Sequence, residues 1–269
     1  MRVYGIDFTS VPKRRKPLTC LPCSFDGKVL DCKDLCEIED FPKFEEFLNS
    51  KGPWVTGIDF PFGFPRKFIQ NLNWEKSWPE YVENIKRLSR QEFRQFLDDY
   101  KSDRAVGDKE HLRATDQVFG GVSPQKQYGV PVALMLYEGA QRLLDSPANI
   151  PFLRPNDDNR IIFESYPGHL ARMLIGKTPY KSDTKKKQTP EKQMAREALF
   201  RQLYSQEFVR KLGFEIVASP DLANDPSGDE IDALLCAVQA AYAWKQRDQN
   251  YGMPDDVDPL EGWIAGPRK

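Results

Sequence analysis

The tetrapeptide Gly-Ile-Asp-Phe occurs twice, at 5–8 and at 57–60, each time after residues of high strand propensity. A buried strand stays apolar, and a carboxylate at its end is costly unless something pairs with it or uses it. Adjacent strands that run the same way bring their ends to one rim of a sheet. The repeat therefore asks for a fold in which Asp7 and Asp59 close neighbouring parallel strands.

The same oddity recurs further on. Residues 159–167 return to strand character, and Ile161-Ile162-Phe163 runs straight into Glu164. In the last helix, Ser227 and Glu230 fit the S-x-x-E capping box and set the helix start near Asp229. From Ile231 to Trp244 the only charge is Asp232. A helix apolar nearly all round is buried, so this carboxylate needs a partner, a hydrogen bond or a metal. Asp229 lies a turn earlier on the same face, where an acid also complements the helix dipole. Any one of Asp7, Asp59, Glu164 and Asp232 alone reads as a strand-edge residue facing water. Together they point to convergence, because crowded like charges raise one another's pKa or attract cations. Mg²⁺ or Mn²⁺ suits such an oxygen-only donor set. Two such ions ~4 Å apart form a clamp that cleaves phosphodiesters.

The order of elements gives this rim a frame. Residues 2–8 are a buried strand, and 17–25 and 28–33 form a hairpin around Asp26-Gly27. Helix 40–52 aligns Phe44, Phe47 and Leu48 on one face and closes at Gly52. Strand 53–60 follows, so a crossover returns a strand beside the first. Residues 61–159 read as a helical insertion, with helices over 78–102 and 131–146 and a polar loop at 112–127 between them. One charged helix spans 189–213, opened by Thr189 and Pro190 and stopped by Gly213. Near the C-terminus, Glu261-Gly-Trp-Ile reads as a strand that packs Trp263 and leaves Glu261 exposed. The expectation is a single α/β unit over 1–269, with a mixed sheet and a helical insertion.

Composition limits the partners. The net charge of −1 advertises no nucleic acid globally, and 29% charged residues with 40% hydrophobic ones fit a soluble chain with a real core. No stretch approaches the ~18 apolar residues of a membrane span, and no apolar leader precedes the first strand. A cytoplasmic protein without a membrane partner is the expectation. Basic residues cluster at 12–17 and 181–188, by default as solvated loops. Lys13, Arg14, Arg15 and Lys16 directly follow the Asp7 strand, which favours phosphate contacts at the acidic rim. Arg113, Thr115 and Asp116 are candidates for the same rim. Cys20, Cys23, Cys32 and Cys36 could be drawn as a zinc site. On a strand, however, Cys20 and Cys23 point to opposite faces, so they read as separate thiols. Cys236 reads as core. His111 and His169 lack metal-ligand spacing and read as surface or supporting residues.

The stretches "GIDFTSVPKRRKP", "GIDFPFGFP", "FESYPG", "DEIDALLCAVQAAYAW" and "EGWIAGP" resemble an uncharacterised domain-of-unknown-function family of predicted RNase H-like nucleases. The resemblance spans nearly the whole chain. Its closing Asp-x-x-Asp helix is similar to the Holliday-junction-resolvase branch of the ribonuclease H fold. The chain departs from that branch in having Asp59 in place of Glu, a modest overall charge, and the 61–159 insertion. The resemblance implies an α/β ribonuclease H-like sheet and a Mg²⁺- or Mn²⁺-dependent nuclease acting on DNA or RNA. Asp7 would bridge two ions, Asp59 and Asp232 would hold one each, and Glu164 and Asp229 would complete the shell or orient water. Two alternatives stay open: an actin- or sugar-kinase-like phosphotransferase or ATPase, and a non-catalytic nucleic-acid-binding protein. ATP-binding loops want Gly just after the strand-end Asp. Here Phe8 follows Asp7, although the Thr9 and Ser10 hydroxyls could still take a phosphate.

Overall fold

The computed structural model describes residues 1–74 and 76–268. The chain opens with strands β1 (Arg2–Asp7), β2 (Leu18–Phe25), β3 (Val29–Cys32) and β4 (Cys36–Ile38), then helix α1 (Phe41–Leu48) and strand β5 (Trp54–Ile58). Five helices follow: α2 (Arg66–Asn71), α3 (Trp78–Lys86), α4 (Arg90–Ser102), α5 (Ala114–Phe119) and α6 (Val132–Asp145). Strand β6 (Arg160–Glu164) precedes α7 (Pro167–Ile175), α8 (Pro190–Leu203), α9 (Gln206–Leu212), strand β7 (Glu215–Val217) and the long α10 (Asp229–Lys245).

The sheet runs β6-β5-β1-β2-β3-β7, with β4 also on β2. Strands β1, β5 and β6 are mutually parallel. Strand β2 runs antiparallel to β1, β3 and β4. The β2–β3 turn forms where the dipeptide asks for it: the Asp26 carboxylate accepts from the amides of Lys28 and Val29 at 2.7 and 2.8 Å, and Gly27 takes φ 96°.

In register, Gly5 lies opposite Gly57 and Ile6 opposite Ile58. The two isoleucines join one core, with Phe8, Phe60 and the insertion helices. The two glycines face the other side, where α10 crosses. A Cβ on Gly5 would stand 1.9 Å from the Ala233 carbonyl oxygen, and one on Gly57 would stand 2.4 Å from that of Cys236. Helix backbone therefore lies directly on strand backbone. The motif needs glycine for this contact, and α10 answers it with small residues such as Ala233 and Ala237, both fully buried.

Several boundaries differ from the sequence reading. Stretch 78–102 is two helices, because Ser89 starts a new one: its hydroxyl accepts from the Glu92 amide, and Glu92 accepts in return. Ser205 likewise splits 189–213, capping α9 through the Phe208 amide. Helix α1 ends at Leu48 with Asn49 as its cap, well before Gly52. Ser227 does not cap α10. Gly228 occupies the cap position, and the Asp225 carboxylate receives the Asp229 amide at 2.8 Å and the Ser227 hydroxyl at 2.6 Å. Residues 261–264 form no strand beyond a single bridge from Ile264 to Glu164. Strands β4 and β7 have three residues each, and two of the three are exposed in both cases, too little pattern to read.

Cys20 lies opposite Cys36, and Cys23 opposite Cys32 at an Sγ–Sγ distance of 3.4 Å. Cys20 belongs to one core and Cys23 to the other, so the pairs lie on opposite faces and cannot share a zinc ion. Cys236 is fully buried. Among the described residues no helix is long and apolar enough to cross a membrane.

Candidate functional site

Side chains alternate along a strand, so Asp7, two residues after Gly5, and Asp59, two after Gly57, leave their strands on the α10 side. Helix α10 delivers Asp232 from its first turn, one residue before the Ala233 that touches Gly5. Ligand oxygens of Asp7, Asp59 and Asp232 all lie within 4.8 Å of one another. The repeated tetrapeptide thus does two jobs. Its glycine admits the helix, and its aspartate meets the carboxylate that the helix carries.

Asp232 is fully buried. One of its oxygens accepts from the Tyr180 hydroxyl at 2.6 Å, and the other is ion-paired with the Lys181 ammonium. Asp7 and Asp59 are half-buried and accept no side-chain hydrogen bond among the described residues. Burial pushes the Asp7 carboxyl well above the usual carboxylate range; Lys181 opposes this, while Asp232, Asp229 and Asp59 add to it. Asp59 is pushed up to about 7, again by burial first, with Lys181 opposing and Asp232 and Glu164 adding. Lys181 is the cation at the centre. Burial of its ammonium works against the charge, but Asp232, Tyr180, Asp7 and Asp59 hold its pKa well above the ordinary lysine value. Its side chain still keeps 38% of its surface exposed.

Asp229 stands beside this trio rather than in it. Burial raises its pKa against the pull of Lys16 and Lys181. Lys16 reaches Asp183 at 2.5 Å. Its burial is outweighed by that contact and by the fields of Asp229 and Asp7, which leave its pKa raised. The basic turn does border the acids, pinned by paired backbone hydrogen bonds between Lys13 and Lys16. Lys13, Arg14 and Arg15 are exposed. Thr9 is half-buried. Ser10 is buried, and its hydroxyl takes an Arg90 N–H at 3.0 Å, so it is committed inward.

Glu164 does not join the trio, and register explains why. It lies opposite Ile58 and not Asp59, so its side chain leaves the other face of the sheet. There it pairs with Arg113 at 2.5 and 2.7 Å and accepts the Phe62 amide at 2.8 Å. Arg113 is 1% exposed. Its five N–H groups all have acceptors in Asp116, Glu164 and the Glu261 carbonyl. With its N–H groups engaged, Arg113 clamps Asp116, Glu164 and the Glu261 carbonyl together, and its side chain also lines the cleft beside Asp59 and Asp232. Thr115 holds the Ile264 amide. Glu261, expected at the surface, is buried and accepts the amides of Arg66 and Ala114, one at each of two helix starts. Removing one partner of a buried ion pair strands the other charge, at about 3–5 kcal/mol. Arg113→Met should therefore lower stability by roughly that amount, read as a shift in urea midpoint; a loss under 1 kcal/mol would refute the clamp.

The histidines are buried and not at the surface. His111 bonds the Tyr100 hydroxyl at 2.7 Å, and His169 the Pro267 carbonyl at 2.9 Å. Neither belongs to the carboxylate trio. The residues that sequence reasoning missed are Tyr180 and Lys181. Lys181 opens the basic run 181–188, and nothing local ties that run to Asp232, 51 residues on.

A cleft of about 320 Å³ adjoins the Asp59–Asp232 side of the trio, with Lys181 in its wall. Arg113, Asp116 and Glu164 line it too, and the segment between α5 and α6 and the start of α6 add Val122, Val130, Val132 and Met135.

Fold and site together define a class: an α/β protein with a mixed sheet whose parallel strand ends and last helix gather three carboxylates. The chain belongs to the family described as Protein of unknown function (DUF429), whose family model matches residues 5–258. That span takes in all three acids of the trio. Searches of curated proteins and of solved structures found no match.

Proposed function

We propose that the chain is a ribonuclease H-like phosphodiesterase that uses Mg²⁺ or Mn²⁺ to cleave nucleic acid. One observation carries the reading: three carboxylates from distant segments offer oxygens within 4.8 Å of one another, and among the described residues two of them accept no side-chain hydrogen bond. A buried acid kept only for structure is normally hydrogen-bonded. Asp7 and Asp59 are instead left as free hard donors, which is what a divalent ion asks for. The charge fits too. Asp7, Asp59, Asp232 and Asp229, with Asp183 on Lys16, face Lys181 and Lys16, leaving about three negative charges uncompensated when all are ionised. The sheet order supports the ribonuclease H-like part, since an antiparallel trio is followed by a crossover through α1 that returns β5 beside β1.

Asp7, Asp59 and Asp232 would hold the metal, with Asp229 at its edge. When bound, the metal polarises the scissile phosphate and lowers the pKa of attacking water. Tyr180 fixes the orientation of Asp232. Lys181 balances the acids and lines the cleft, within reach of a phosphate there. Arg14, Arg15 and Lys16 take backbone phosphates beside Asp7.

The ATPase alternative loses ground at the strand ends. Phe8 and Phe60, which follow the two acids, are buried and pack ring to ring at 4.6 Å. The backbone there is committed to the core instead of open to a phosphate. The deciding experiment is a cleavage screen over single-stranded, duplex, hybrid and branched substrates with Mg²⁺ or Mn²⁺, beginning at low salt. Cleavage that EDTA abolishes is expected. Arg14→Ala with Arg15→Ala should weaken polynucleotide binding and flatten its salt dependence by about two phosphate contacts. Saturable ATP binding with no polynucleotide binding even at low salt would overturn the proposal.

A further inference from the structure

The trio has two unlike neighbours. On the Asp7–Asp229 side stands the basic turn, with Lys16 inside the field of both acids. On the Asp59–Asp232 side lies the cleft of about 320 Å³, at the lower end of the ~300–1,000 Å³ typical of small-ligand sites. Beside Asp59, Asp232 and Lys181 it is lined by the Arg113, Asp116 and Glu164 ion pairs and by an apolar side: Val122 and Val130 are 42% and 53% exposed, and Val132 and Met135 are half-buried. Isolated exposed apolar residues need no explanation, but two exposed and two half-buried ones that line one recess beside a polar site mark a ligand surface. Lys126 also borders the recess.

We propose that this cleft is a subsite for the sugar and base of one unpaired nucleotide, so that the protein acts on single strands or strand ends and not on continuous duplex. This rests on the phosphodiesterase reading above and names its substrate class. If a phosphate sits at the trio, the nucleoside attached to it on the Asp59–Asp232 side must enter the recess. The recess has room for one nucleoside and none for stacked base pairs. The apolar side can hold a base by its face without reading its edges, while the charged side faces the sugar and phosphate. The strand on the other side of the phosphate continues over Arg14, Arg15 and Lys16, where charge and not shape holds it. The insertion thereby acquires a role, since the segment between α5 and α6 and the start of α6 build the wall that turns an open rim into a recess.

The test compares adenosine 5′-monophosphate with ribose 5-phosphate by calorimetry in saturating Mn²⁺, alongside Mn²⁺ alone. The nucleotide should bind about tenfold tighter, within what one base contact contributes. In the double variant Val122→Asp, Val130→Asp, both at exposed positions, the ratio of the two affinities should fall to about one, with folding checked by circular dichroism. Equal affinities in the wild type, or a ratio unchanged in the variant, would overturn the subsite while leaving the metal site standing. Absence of any Mn²⁺ binding would sink the phosphodiesterase reading, and the subsite with it. Duplex cleaved faster than single strands of the same sequence would also overturn the subsite.

Discussion

Asp7→Asn should abolish stabilisation by Mn²⁺ and yet raise the melting temperature of the metal-free protein. Burial and the neighbouring acids destabilise the Asp7 carboxylate, and Lys181, with Lys16 at the edge, relieves it. The sign follows from linkage. A carboxyl whose pKa is raised on folding binds its proton more tightly in the folded state. Metal-free stability should therefore fall as pH rises from the ordinary carboxylate range, ~4, to about 7, where Asp59 titrates in the folded protein. Removing one charge makes that fall shallower, so the variant should gain most at pH 8 and nothing near pH 4. A gain of 1–2 kcal/mol would appear as about 2–8 °C for a chain of this size. Mn²⁺ at a hundredfold above its dissociation constant adds about 2.7 kcal/mol to wild type and should add none to the variant. Melting curves at pH 4, 6 and 8, with and without Mn²⁺, read all of this. Identical responses in the two proteins would mean that the acids do not form a metal site.

Gly5→Ala should be the most damaging small substitution in the molecule. The added Cβ would lie 1.9 Å from the Ala233 oxygen and 2.3 Å from the Ala237 nitrogen. Both are helix backbone, so no side chain can swing aside, and α10 must lift from β1. Overpacking typically costs about 1–3 kcal/mol, and a clash with backbone belongs at or above the upper end. Because Asp232 adjoins Ala233, the same shift should weaken Mn²⁺ binding even in the fraction that stays folded. Urea unfolding and Mn²⁺ titration of one preparation would show both losses. A variant within 1 kcal/mol of wild type would contradict the helix–sheet contact.

The repeated tetrapeptide was readable because strand end and acid are adjacent in the chain, so propensity and cost could be weighed in one window. Glu164 showed the same local signal, and it borders the cleft beside the trio without joining it. An apolar run ending in an acid says nothing about register, and a one-residue offset sends the side chain through the sheet. Arg113 was noticed as a loop cation, but its acceptors lie 3, 51 and 148 residues away, and only the fold reveals that they use all its donors. The breaks at Ser89 and Ser205 were visible as cap residues, but they were hidden inside continuous helical periodicity. Lys181 lay in a run of basic residues whose plain reading is solvent. Its pairing with Asp232 depends on how the chain before α8 packs against α10, which no local pattern carries.

The contact between the two glycines and α10 also bears on how such a protein can change. Where Gly5 and Gly57 meet α10 no side chain separates helix from strand, so the joint has almost no play there, and drift would disturb core and chemistry together. The trio is thus the part of the molecule least free to vary. New preferences among substrates would have to arise at the periphery, at exposed positions such as Val122 and Val130, which can be exchanged without moving a single one of the acids.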